Sequence, residues 1–258
     1  MKILRDLSLA IRFLTIISII SLPPSNNTNQ NEEVLAENFA NSMAFFPLVG
    51  MLIGVLLVFL RRVFYYLPVS SLVGDTLVLI VWIWLSGGLH LDGFADSVDG
   101  FLGGHDKEEI LKIMKDSSTG AKGVVALFSL LLLKFVLLAE MPLFLKDAAL
   151  FFTPAIGRCS MVIAAFLGKP TRLKNSMGKL FIDYVSWREV IFASLTMAVI
   201  GILLFKLYFL PLLIIATGIV LLILKYSQKR IGGISGDILG AINEIVELFC
   251  LLVIYLLN

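Results

Sequence analysis

Asp92, Asp96 and Asp99 stand at i, i+4 and i+7 in the segment GGLHLDGFADSVDGFLGG. On a helix this spacing projects all three carboxylates from one face within two turns. Like charges so placed repel unless a cation sits among them. Clustered hard oxygen ligands suit Mg2+, which takes one or two carboxylates together with substrate phosphate oxygens. Asp92, Asp96 and Asp99 are therefore the candidate metal ligands. Gly93 and Gly100 cost helix stability but let a bulky ligand or another helix approach the backbone. The competing reading is a solvated acidic face at a membrane surface. These acids directly follow an apolar run, alternate with Gly, Phe and Ala, and have no lysine among them, which favours a metal or phosphate site. His90 precedes Asp92 by two residues, so a helix turns it away from the aspartates. General base, metal ligand and polar helix-end residue stay open for it.

The stretch KDSSTGAKG, Lys115 to Gly123, joins a base, an acid (Asp116), hydroxyls and glycines just before an apolar run. A Gly-rich turn entering a helix can offer backbone N–H groups to phosphate, although P-loop spacing is missing. Asp106–Glu109 with Lys107 and Lys112 reads as a mixed-charge amphipathic helix without chemistry. Loop 168–188 carries five bases, among them Lys169 and Arg172, against one acid. It either receives an anionic substrate or sets topology against anionic lipid. Arg158 falls inside an apolar run, where an arginine must face a cavity, a phosphate or a buried acid. Lys134 is similarly placed, with the option of snorkelling. Past Gly232, Gly233 and Gly236, the acids Asp237, Glu244 and Glu247 follow at i, i+7 and i+10, roughly one face. Cys159 and Cys250 have no metal-ligand spacing and read as small buried hydrophobes.

The elements that must position these residues are membrane helices. Of 258 residues, 59% are apolar and 16% charged, and the mean hydropathy is +0.95. Soluble domains carry about 25% charged residues, so a soluble globular domain, a disordered chain and a nucleic-acid-binding module are all excluded. The expected fold is an all-α polytopic membrane bundle in a single domain, 1–258. Apolar runs predict about seven spans, near 43–60, 72–86, 123–141, 149–167, 189–206, 209–224 and 240–257. Segment 3–22 carries Arg5, Asp6 and Arg12, and reads as an interfacial amphipathic helix or as an eighth span. It lacks a signal-peptidase site and is expected to be retained. Residues 23–42 form a polar linker, and GMLIG (Gly50 to Gly54) reads as a helix-packing motif.

Seven spans place loops 87–122, 168–188 and 225–239 on one side with the linker. Those loops hold twelve Lys and Arg; the other side holds only Arg61, Arg62, Lys146 and Lys206. The positive-inside rule puts the three loops in the cytoplasm, with Arg61-Arg62 against the trend. The expected location is the cell membrane.

At these residues the chain resembles the cobalamin synthase family, the adenosylcobinamide-GDP ribazoletransferases. RFLT (Arg12 to Thr15), Pro47 to Gly50 with Gly54, Gly87 to Gly104, Ile113 to Gly123, Gly157-Arg158, and Gly232 to Gly240 with Glu247 carry the likeness over most of the chain. The resemblance implies a membrane-bound, Mg2+-dependent enzyme. It joins adenosylcobinamide-GDP to α-ribazole, or to α-ribazole 5′-phosphate, giving adenosylcobalamin or its phosphate and GMP. On this reading a ribose hydroxyl attacks the cobinamide-linked phosphorus. Asp92, Asp96 or His90 takes the proton, and Mg2+ sits on Asp92, Asp96 and Asp99. Lys115, Arg158, Lys169 and Arg172 contact phosphate, while Asp116 and Asp237 orient metal or substrate. Association with other cobalamin-pathway enzymes is a further expectation.

Two rivals remain. The CDP-alcohol phosphotransferases share D-G-x2-A at Asp92–Ala95, but Leu89 and Asp96 replace the first Asp and the Arg of that motif. A cation-coupled transporter would place acids near the midplane in paired repeats, and this sequence shows no repeat.

Overall fold

Local capping decides where each helix begins. The computed structural model describes residues 2–17, 32–171 and 182–257, which form helices and no β-sheet. Helices α1 (Lys2–Leu14) and α2 (Glu32–Ser42) lead into α3 (Phe46–Tyr66), whose first turn holds Pro47, where a missing N–H is harmless. Helix α4 (Ser71–Leu85) starts on Ser70, whose hydroxyl accepts from Val73 N at 3.3 Å. Next come α5 (Leu89–Gly103), α6 (Lys107–Ile113), α7 (Ala121–Glu140) and α8 (Leu143–Leu167). Helix α9 (Trp187–Phe205) opens on a capping box of Ser186 and Glu189, which satisfies two orphan donors. Helix α10 (Phe209–Ile231) closes on Gly232, and α11 (Gly236–Tyr255) opens on Ser235.

Each of the seven apolar runs falls on a helix, yet length and apolarity alone pick out five segments able to cross a membrane. Two departures account for the difference. Runs 189–206 and 209–224 share one segment, Trp187–Ile231, broken at Lys206 with φ 51°. Gly201 faces the Phe209 ring, and Met197 and Leu213 line one cavity. The two arms therefore fold back on each other, each a helix of its own. Helix α4 has 15 residues, reaching about 22 Å, short of a ~30 Å hydrocarbon core.

Helices α4 and α5 are long and apolar enough to cross only when taken together, across an 83° bend. Gly87 and Gly88 make that bend at φ 61° and 69°, backbone angles that L side chains resist. Helix α5 starts deep, where His90 shares a cavity with Leu131, Lys134 and Glu244. It ends at the rim, where Asp99 meets the first turn of α7. Residues 89–103, expected in a loop, thus form a helix joined to α4 across that bend, as a broken span or a re-entrant turn. Residues 32–42, expected as linker, form α2, and the apolar segment runs from Ala36 to Tyr66. Residues 18–31 lie outside the described residues. Helix α1 has 13 residues, with Arg5, Asp6 and Arg12 set among Leu, Ile and Phe, the pattern of an amphipathic helix.

Gly50 and Gly54 bring α3 against the backbone of α8 at Pro154–Ala155 and Phe151, where a Cβ on either glycine would collide. The basic and acidic loops meet on one face. Thr171 N donates to Ile234 O at 3.0 Å, Ile234 N to Lys169 O at 2.8 Å, and Arg230 Nη2 to Gly104 O at 3.0 Å. At the opposite face Arg61 and Arg62 both bind Asp147, and Lys146 donates to Asp75 at 2.7 Å. Asp147 thus offsets one of the two arginine charges that ran against the positive-inside count.

Candidate active site

Two glycines let α5 and α11 touch backbone to backbone. A Cβ on Gly93 would lie 2.9 Å from Asp237 Cα, and one on Gly240 3.2 Å from His90 Cα. The contact sets Asp237, in the first turn of α11, beside Asp92 and Asp96, which flank Gly93 on α5. Asp92, Asp237 and Asp99 all act electrostatically on Asp96. Asp92 is exposed, Asp96 and Asp237 are partly buried, and Ser235 Oγ donates to Asp237 at 3.1 Å. None of the ion pairs among the described residues involves Asp92, Asp96 or Asp237. The result is a partly exposed cluster of uncompensated carboxylates on the loop face, referred to below as the cleft. Among the described residues, no three His, Cys, Asp or Glu side chains already converge as a metal cage.

Asp99 differs from its neighbours. Its carboxylate accepts from Gly120 N at 2.7 Å and Gly123 N at 2.8 Å. Both N–H groups belong to the start of α7, so Asp99 caps that helix from outside, where negative charge is favoured. The Gly-rich turn expected to offer N–H groups to phosphate gives these two to Asp99 instead. Asp99→Asn would aim an amide N–H at a backbone N–H, an unpaired buried donor costing about 1–3 kcal/mol. Faster hydrogen exchange at Gly120 and Gly123 is the expected result, and unchanged exchange would contradict the cap.

The other candidates divide by location. Lys115 and Lys169 are exposed on the loop face, and Lys169 is tied by its carbonyl to Ile234, near Asp237. Arg172 lies outside the described residues. Asp116 is exposed and accepts from Ser118 N and Oγ at 2.9 and 2.5 Å. Those bonds hold its carboxyl below the usual range, and they mark it as a turn former. His90 is 2% exposed and faces an inner cavity rather than the cleft. Arg158, fully buried, donates to Glu247 at 3.3 Å and to Pro154 O at 3.0 Å. The structure thus pairs it with a buried acid and not with the cleft. Lys134 does not snorkel: it is buried, over the Trp82 ring, with Glu244 and Glu247 at 2.6 and 2.7 Å. Cys159 and Cys250 are free and buried.

Sequence reasoning missed the partners of three cations. Lys107, assigned no chemistry, brings its Nζ to the loop glycine Gly232, within 3.0 Å of where a Cβ would sit. Arg230 binds Phe101 O and Gly104 O at the end of α5, as Lys122 binds Leu102 O. Cations suit a helix C-terminus, but nothing in the sequence spacing links these residues to α5.

Residues 6–255 match the family model described as Cobalamin-5-phosphate synthase. The adenosylcobinamide-GDP ribazoletransferase of Clostridium acetobutylicum is 36% identical over 262 residues, 99% of this chain and 97% of the relative. Its counterpart in Caldanaerobacter subterraneus is 36% identical, covering 96% of each chain. That of Clostridium tetani is 35% identical over 98% of this chain and 97% of the relative. No solved structure matches the chain.

Proposed function

The chain belongs to the cobalamin-5-phosphate synthase family, and from that membership we propose that the cleft of Asp92, Asp96 and Asp237 is its reaction centre. The activity is that of an adenosylcobinamide-GDP ribazoletransferase, a late step of cobalamin formation. A ribose hydroxyl of α-ribazole, or of its 5′-phosphate, forms a bond to the cobinamide-linked phosphorus. The bond from that phosphorus to the oxygen of the GMP phosphate breaks, and GMP leaves with its electron pair. The hydroxyl proton passes to a carboxylate of the cleft.

The observation that carries this reading is the uncompensated carboxylate cluster built across the α5–α11 contact. It also fits Mg2+, which needs only one or two carboxylates and takes its remaining oxygens from phosphate and water. Asp92 and Asp96 would hold the ion, with Asp237 beside them. When bound, the ion would supply positive charge to the pyrophosphate oxygens as GMP departs. Exposed Lys115 and Lys169 would receive phosphates at the loop face, and Arg172 joins them from sequence alone. That face is assigned to the cytoplasm of a cell-membrane enzyme by its excess of Lys and Arg.

The test is turnover of adenosylcobinamide-GDP with α-ribazole by the purified protein in detergent, with Mg2+ or with EDTA, beside Asp92→Ala. Cobalamin and GMP forming only with Mg2+ and the intact aspartate is the expected result. Folded protein that makes neither product with either ribazole form would overturn it. Turnover without a gradient would also exclude transport as the primary role.

A further inference from the structure

About two turns beneath the cleft, where Glu244 stands seven residues and about 10 Å along α11 from Asp237, lies a second polar feature. It is a cavity of about 10 Å3 lined by Trp82, Ser86, His90, Lys134, Arg158 and Glu244, with Glu247 beside them. His90 and Arg158 are 2% and 0% exposed. Yet His90 Nδ1 and Nε2 and Arg158 Nε and Nη2 have no hydrogen-bond partner in the protein. Buried polar atoms are seldom left so, and a site this size with several polar neighbours suits one water.

The charges at the cavity decide between water and an ion. Lys134 contacts Glu244 and Glu247, and Arg158 contacts Glu247, so two cations already match two anions. A neutral occupant keeps that balance. It must accept from a guanidinium N–H and also pair with an imidazole, and water does both. The backbone adds a reason for an anchor here. Gly87 and Gly88 turn the chain by 83° just before His90, so the first turn of α5 runs across α4 instead of extending it.

We propose that this cavity binds one structural water joining His90 to Arg158, and that His90 is a positioning residue. Through that water the first turn of α5, and Asp92 two residues on, is held against α8 and α11. The proposal rests on the carboxylate cleft being the reaction centre.

The test compares His90→Gln and His90→Phe with the unaltered protein. The readouts are ordered water in a structure of the metal-free protein, hydrogen exchange at Leu89–Asp92, and kcat against KM. The unaltered protein and His90→Gln should both show the water, with protected amides and similar kcat. His90→Phe should lose the water, exchange faster at those amides, and lose about tenfold or more in kcat through displaced geometry, with KM nearly constant. Unchanged exchange and kcat in folded His90→Phe would overturn the proposal. Equal inactivity of both variants with α5 still protected would also overturn it, making the imidazole a direct participant. Failure of the cleft reading shows separately, as full turnover by Asp92→Ala.

Discussion

Asp96→Asn is expected to lower turnover of adenosylcobinamide-GDP by about a hundredfold or more, the scale of losing one preorganised charge at a reacting phosphate. The same change should stabilise the metal-free protein. Asp96 is partly buried and lies in the combined field of Asp92, Asp237 and Asp99, with no cation paired to it among the described ion pairs. Removing one negative charge relieves that repulsion, and a gain of about 1 kcal/mol corresponds to a Tm rise of roughly 2–4 °C. Opposite signs in activity and stability mark a site held under strain for function. Thermal melts with EDTA and with Mg2+ provide the check. The unaltered protein should gain Tm on adding Mg2+, because an ion that binds only the folded state stabilises it, and Asp96→Asn should lose most of that gain. A solvated acidic face gives a different result: kcat within a few fold, no Tm rise, and no Mg2+ response in either protein.

The acidic face was legible because its i, i+4, i+7 spacing is a local property of one helix. What lies across from it was not. Asp237 joins Asp92 and Asp96 only because Gly93 and Gly240 let α5 and α11 touch, a pairing separated by some 140 residues in sequence. Asp99 shares the spacing of its neighbours yet faces the start of α7, so identical chemistry along one helix serves two ends. Hydropathy also misplaced α5. Its aspartates and glycines depress the apolar signal that marks a span, although Phe94 packs against Leu130 and Ala241 within the bundle. The glycines at the break were visible in the sequence, but their positive φ was not. Arg158 was recognised as needing a partner, and the Glu244–Glu247 stripe as a polar face inside a span. Their union required the packing of α7, α8 and α11.

Glu247→Ala is expected to destabilise the fold by about 3–5 kcal/mol, the usual cost of removing one member of a buried charge set. Glu247 is 1% exposed and meets both Lys134 and Arg158, while Asn243 donates to it at 3.0 Å. Without it Arg158 keeps no acid within salt-bridge range among the described residues, and Lys134 keeps only Glu244. The decisive comparison is the double variant Glu247→Leu/Arg158→Met. It removes one anion and one cation together, leaving the Lys134–Glu244 pair at 2.6 Å. Matched apolar replacement of a buried pair is often close to neutral, so the double variant should melt above both Glu247→Leu and Arg158→Met alone. Coupling between contacting charges typically reaches about 0.5–3 kcal/mol, and melts of all three variants in detergent would measure it. Additive losses would show that Arg158 and Glu247 act independently. A positive coupling with turnover partly restored would make the network a scaffold that holds α8 and α11 together under the cleft. The chemistry would then remain with the carboxylates about two turns above.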